Sequence, residues 1–197
     1  MNNINYHYNG DKTVLDFDDD FNESLDNIIF PKTVRNILFG YEFNQPLDQT
    51  KLPINLRRIT FGTDFNQSLE KVNLPNSLQY IAFQGSFNKS LDNTILPSKL
   101  RIIKFGDYFN QSLDAVKFPT SLHTIIFGEK FNQPLNNLPS SVTKLKFYKL
   151  NMHITNLPLS ISEITIYCDI QASIKKLIKI PYGCKILDMH DNIIKIE

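Results

Sequence analysis

Hydrophobic residues return along this chain on a long, even beat. Phe21, Phe43, Phe65, Phe87, Phe109 and Phe131 stand 22 residues apart, each followed at once by asparagine and, four positions after the phenylalanine, by leucine. Prolines keep the same beat at Pro31, Pro53, Pro75, Pro97 and Pro119, then fall at Pro139, Pro158 and Pro181 as the unit length drifts. Eight residues beyond each proline stands an apolar residue: Phe39, Phe61, Phe83, Phe105, Phe127, Phe147, Ile166 and Met189. Self-similarity at a period of this length marks a solenoid, because one unit cannot bury its apolar face alone and must stack on its neighbours.

Within a unit the pattern changes period. In LPINLRRITFG, Leu56, Ile59 and Phe61 are apolar while Arg58 and Thr60 alternate with the last two, which predicts a short strand from Arg57 to Phe61. One strand per coil, always in the same direction, makes a parallel sheet along one side of the stack. At roughly 4.8 Å per strand, about eight coils give a body about 40 Å long. The other half, FNQSLEKV, places Phe65, Leu69 and Val72 at spacings of four and three, the pattern of one helical turn. Its start alternates between serine and proline (Ser24, Pro46, Ser68, Ser90, Ser112, Pro134), both at home at the beginning of a helix. The expected fold is therefore a repeat solenoid. It has one parallel sheet of about eight short strands on one face, and short helical turns or irregular extended segments on the other.

The polar residues of the repeat have structural work of their own. A coil that turns a corner leaves backbone groups without partners, and an asparagine amide both donates and accepts there. Asn22, Asn44, Asn66, Asn88, Asn110 and Asn132 are expected to form an inward-facing ladder, coil bonded to coil. Gly40, Gly62, Gly106 and Gly128, each directly after a strand phenylalanine, are expected to permit a tight turn or a close approach.

Length and charge narrow the functional classes. A chain of 197 residues with ordinary apolar and charged fractions makes one domain with a core. A formal net charge of +1 removes the basic excess that sequence-independent attraction to nucleic acid or an anionic membrane requires. The opening MNNINYHYNGDK has no apolar signal region, and no apolar run approaches the roughly 18 residues that span a bilayer. Cys168 and Cys184 lie apart, without a CxxC or a histidine cluster, so they read as structural. The expectation is a soluble, cytoplasmic protein (host cytoplasm if viral) that binds neither nucleic acid nor membrane.

With FNQPL, FNQSL, LPxSL and IxFG all in phase, the chain resembles the FNIP repeat family, known mainly from social amoebae and the giant viruses that infect amoebae. The resemblance runs from Asp16 to near Phe147. It implies a leucine-rich-repeat-like solenoid, curved, with its strands on the concave face. Many members of that family carry an N-terminal F-box and act as substrate receptors of ubiquitin ligases; here some 20 residues precede the first Phe-Asn, too few for such a box. The chain is divided accordingly. Residues 1–20 form an N-terminal cap, 21–147 six regular repeats, and 148–197 degenerate repeats and a C-terminal cap, with LNMHI and DIQAS standing where Phe-Asn is lost.

Candidate chemistry is sparse. His7, His123, His153 and His190 fall at unrelated repeat phases, without the spacing of a metal pair or a nucleophile's base. The acidic run of Asp16, Asp18, Asp19 and Asp20 lacks the glycine and the closing glutamate of a calcium loop, and reads as a solvated charged cap over the first coil. No catalytic, metal or cofactor residue is assigned. Asn22, Asn66, Asn88 and Asn110 sit in N-x-S sequons. If the ladder faces inward, glycans there would block folding, which again favours the cytosol.

Repeats carry their own internal comparison: positions kept from unit to unit serve packing, and positions that vary are free for something else. Five residues after each proline come Asn36, Arg58, Tyr80, Ile102, Thr124, Lys144, Glu163 and Ile186; seven after come Leu38, Thr60, Ala82, Lys104, Ile126, Lys146, Thr165 and Asp188. Side by side these outward columns make a ribbon with an apolar middle (Tyr80, Ala82, Ile102, Ile126) and a cationic rim (Arg58, Lys104, Lys144, Lys146), the make-up of a protein-binding patch. Beside them run a basic column, Arg35, Arg57, Arg101 and His123 with Gln79 interrupting, and an acidic one, Asp26, Asp48, Glu70, Asp92 and Asp114, placed as for the first turn of a helix. The expected function is a non-enzymatic module that presents Asn36, Leu38, Arg58, Thr60, Tyr80, Ala82, Ile102, Lys104, Thr124, Ile126, Lys144 and Lys146 to a protein partner. The alternative is a self-assembling component that stacks through its terminal strands or dimerises through the apolar ribbon.

Overall fold

The alternation that follows each proline becomes one strand per coil. In the computed structural model, which describes residues 6–194, β1 (Tyr6–Tyr8), β2 (Val14–Phe17), β3 (Asn36–Leu38), β4 (Arg58–Thr60), β5 (Tyr80–Ala82), β6 (Ile102–Lys104), β7 (Thr124–Phe127), β8 (Lys144–Phe147), β9 (Glu163–Ile166) and β10 (Lys185–Leu187) form a single ten-stranded sheet in chain order. The outermost parts of the two expected caps, residues 1–5 and 195–197, lie outside the described residues. From β2 to β10 all neighbours are parallel; β1 alone runs antiparallel, pairing Tyr6 with Phe17 and Tyr8 with Leu15. The sheet exceeds the expected eight strands through β1 and β2. Val14–Phe17 proves to be a regular rung inside the segment assigned to the N-terminal cap.

Register follows from the repeat. Because coil length equals repeat length, Ile37, Ile59, Ile81 and Ile103 stand opposite one another in successive strands, and each is buried. Stacking like residues in this way lets a β-branched column pack on itself, the arrangement short pleated strands favour. Inside the strand columns run two phenylalanine ladders. Phe17, Phe39, Phe61, Phe83, Phe105, Phe127 and Phe147 close the strands, and Phe21, Phe43, Phe65, Phe87, Phe109 and Phe131 stand at the corner that follows. Within one coil the two rings stack closely, at 4.0 Å between centroids for Phe61 and Phe65. Along the corner ladder the spacing is 6.0–6.2 Å with nearly parallel planes, an offset geometry that suits the ring quadrupoles.

In the regular repeats the half-coil opposite the strands contains no helix. FNQSLEKV runs as an extended segment closed by a turn in which the Val72 N–H donates to the Leu69 carbonyl at 3.1 Å, and the same turn recurs at Leu25, Leu47, Leu91 and Leu113. The four-then-three apolar spacing arises from an extended run followed by a turn, which brings Phe65, Leu69 and Val72 inward just as one helical turn would. Ser24, Ser68, Ser90 and Ser112 are therefore not helix caps. Each hydroxyl accepts the N–H two residues on, that of Asp26, Glu70, Asp92 and Asp114. The acidic column accordingly decorates turns, with no helix end to stabilise.

The asparagine ladder forms, but at the surface. Each Oδ1 accepts the backbone N–H of the next asparagine, at 2.8–3.0 Å from Asn22 through Asn132. Asn22, Asn88 and Asn132 are exposed and the other three half-buried, which corrects the inward placement. Glutamines one position on, Gln45, Gln67, Gln111 and Gln133, donate to the same Oδ1 atoms. Burial of the sequons therefore no longer argues against glycosylation or for the cytosol. Asn66→Ala is expected to cost about 1 kcal/mol or less in chemical denaturation, since the freed N–H of Asn88 can turn to water. A loss of about 3 kcal/mol would show that this N–H is shielded after all.

The two ends depart from the repeat differently. At the N-terminus the charged cap is a hairpin: His7 on β1 pairs with Asp18 at 3.0 Å, and Tyr6 meets Phe17 edge-on. Toward the C-terminus, LNMHI keeps an inward residue at Leu150, while Asn151 reverses the usual polarity and donates through Nδ2 to the carbonyls of Glu129 and Phe131. DIQAS folds into α1 (Ile170–Ile174), whose Ser173 hydroxyl, buried, accepts the N–H of Leu150. β10 is shifted by one residue against the spacing from its proline. Ile186 pairs with Ile164 and is buried, so Lys185 takes the outward position expected for Ile186, and Met189 is 56% exposed instead of closing the core.

Candidate interaction surface

Strand register turns the variable positions into two continuous columns. Asn36, Arg58, Tyr80, Ile102, Thr124, Lys144 and Glu163 are successive Cα partners, and so are Leu38, Thr60, Ala82, Lys104, Ile126, Lys146 and Thr165. The twelve residues expected to meet a partner are thus adjacent on one sheet face. Ten of them are at least partly accessible. Ala82 and Thr124 are not, at 3% and 5% exposure, because their short side chains sit below longer neighbours. The apolar middle accordingly reduces to Tyr80, Ile102 and Ile126, all half-buried.

The cationic rim divides into two kinds. Lys144 is held by Glu163 at 2.8 Å. Arg58 lies over the Tyr80 ring, 4.3 Å from its centroid, so that the aromatic face orients the guanidinium without neutralising it. Among the described residues, ion pairs involve His7, Lys130, Lys144 and Lys149, and no arginine. The basic column flanks this side of the ribbon. Arg35, Arg57, Arg58, Arg101, His123 and Tyr80 line one continuous groove of about 530 Å³ that also takes in Ile102 and Gln79.

A second hollow, of about 320 Å³, lies past the other ends of the strands, against Gly106, Gly128, Tyr148 and Tyr167. The glycines along it mark the close approach of successive coils, since a Cβ on Gly106 or Gly128 would fall on the backbone of the preceding coil. Among the described residues, no group of shifted acidity lines the larger groove, and Tyr148, its phenol pushed up chiefly by the neighbouring Cys168, is the one that lines the smaller hollow. Burial, and then the charge of Glu163, push the Cys184 thiol up to about 11. A hydrogen bond from Lys149 holds the Glu129 carboxyl below its ordinary range. Among the described residues no three histidine, cysteine, aspartate or glutamate side chains gather as a metal site, and no helix is long and apolar enough to cross a membrane.

These features define a leucine-rich-repeat-like solenoid, one strand per coil with a variable outward face. The family model described as FNIP Repeat matches residues 43–86 and 87–130, so these coils are FNIP repeats. Among solved structures, the chain is similar to CroV588, described as a novel circular LRR protein structure, with 32% identity and a TM-score of 0.71 over 88% of this chain. The match covers 26% of that chain, so this one spans about a quarter of its length. A comparison with curated proteins found no match.

Proposed function

We propose that this protein is a non-enzymatic interaction module whose outward strand columns are the contact surface for a protein partner. The observation that carries this reading is the separation of roles along each strand. The inward residues repeat almost unchanged from coil to coil, while the outward residues beside them change chemistry at every step and still form one continuous face. Leucine-rich-repeat-like solenoids commonly serve as scaffolds for protein contacts, and an extended sheet face suits that use.

Tyr80 and Ile102 are the anchors of this surface, partly buried, adjacent across the β5–β6 pair and close to its centre. A Tyr80→Glu, Ile102→Glu double variant is expected to lower capture of the cross-linked partner by more than about tenfold, with the circular dichroism spectrum unchanged. Undiminished capture by a folded variant would remove this face from the contact. A concentration-dependent dimer that the same substitutions dissolve would assign the face to self-association.

A further inference from the structure

The basic column poses an electrostatic problem that no ion pair among the described residues solves. The carbonyls of Arg35, Arg57, Gln79 and Arg101 each accept two N–H groups from the next coil, as with Arg57 and Arg58 on Arg35. This part of every coil is thereby held in register, one strand spacing from the next. Arg35 stands over Arg57, with Arg58 beside both, and like charges opposed across neighbouring strands repel. No aspartate or glutamate lines the groove they share. The chain's own repeated acidic column, Asp26 to Asp114, makes no ion pair with it.

We infer that this groove is the binding site for an extended acidic peptide segment of the partner, its carboxylates paired with Arg35, Arg57 and Arg101. The inference rests on the reading of the strand face as the contact surface and deepens it by naming the partner's chemistry. Guanidinium forks match carboxylates in bidentate geometry, and unpaired arginines at a contact supply both orientation and on-rate. Dimensions fit a peptide. From Arg35 to His123 the column spans four strand spacings, about 20 Å, the length of about six extended residues. Tyr80 and Ile102 form an apolar floor for the peptide's intervening side chains, and Tyr80 already pins Arg58 in place. Nucleic acid is the weaker occupant, because Lys144 on the same face is already paired with Glu163 and the net charge of the whole chain is only +1.

The test uses the full chain and a fluorescein-labelled peptide of about eight residues alternating glutamate and leucine, read by anisotropy. A lysine–leucine peptide and an oligothymidylate of equal length serve as comparisons. The glutamate peptide is expected to bind, to weaken as salt rises, and to lose about tenfold or more in affinity in an Arg57→Glu, Arg101→Glu variant and in the milder Arg57→Gln, Arg101→Gln variant. Failure of the glutamate peptide to bind the unmodified chain would overturn the proposal. So would equal binding of the lysine peptide, affinity unmoved by either double variant, or tighter binding of the oligothymidylate through the same arginines. The underlying reading fails separately. A cross-linked partner lost from the Tyr80→Glu, Ile102→Glu variant but retained by Arg57→Glu, Arg101→Glu would keep the face as a contact and reject its preference for acid.

Discussion

Replacing Phe65 with alanine is expected to destabilise the protein by about 3–5 kcal/mol. The side chain is 0% exposed and its ring contacts the aromatic column on three sides: Phe61 at 4.0 Å within its own coil, Phe43 at 6.1 Å below and Phe87 at 6.2 Å above. Neighbouring rings cannot slide in to fill the gap, because each is fixed by its own strand pairing and by the next ring along. The cavity also has a consequence peculiar to a stack. Each coil is stabilised only by its two neighbours, so a weak coil in the middle uncouples the halves. Urea denaturation followed by tyrosine fluorescence, the chain having no tryptophan, is expected to show a lower midpoint and a broader or divided transition. A loss below about 1 kcal/mol would mean the ladder collapses around the gap.

Gly62→Ala is expected to be comparably damaging, at about 3 kcal/mol or more, although only one methyl is added. A Cβ at Gly62 would fall on the carbonyl oxygen of Gly40, with the carbonyl carbon at 2.6 Å. Overpacking a core usually costs less, because a side chain can rotate away. Here the obstruction is the backbone of the neighbouring coil. The cause is not left-handed backbone, since among the described glycines only Gly183 has positive φ. Gly10→Ala is the matched control, with nothing within 4 Å of its Cβ, and is expected to be nearly neutral. Equal thermal stability of the two variants would show that coils can part at the glycine without penalty. The third coil carries its own version of this contact: Gln84 stands where glycine is expected, and Gly85 makes the close approach to Thr63.

Much of the architecture was legible because two periods coincide. The 22-residue repeat placed Ile59 beside Ile37 and Ile81, and the two-residue alternation inside each unit placed Arg58 and Thr60 outward. What misled was the corner segment. Phe65, Leu69 and Val72 are spaced as in a helix, yet the backbone is extended and then turns, and apolar spacing reports which residues are inward without reporting the path between them. β10 slipped for a related reason. The distance from Pro181 to the strand does not hold once Cys184 replaces the leucine, valine or isoleucine found after earlier prolines, and pairing with β9 set the register. The proposed contact surface divided in the same way: its columns could be read from the repeat, but not that Ala82 and Thr124 are buried or that Lys144 is already paired.

The order of residues was enough to specify a stack of coils, its buried aromatic rungs and which strand positions look outward. All of these follow from periodicity, a property of the chain that needs no partner. Three-dimensional packing decided the rest: that the asparagine rungs face water, that glycine lets neighbouring backbones approach instead of bending one, and that arginines 22 residues apart share a groove holding no carboxylate. Each of those depends on the path of the corners and on which side chains meet between coils, and such contacts exist only once successive turns of the chain lie against one another.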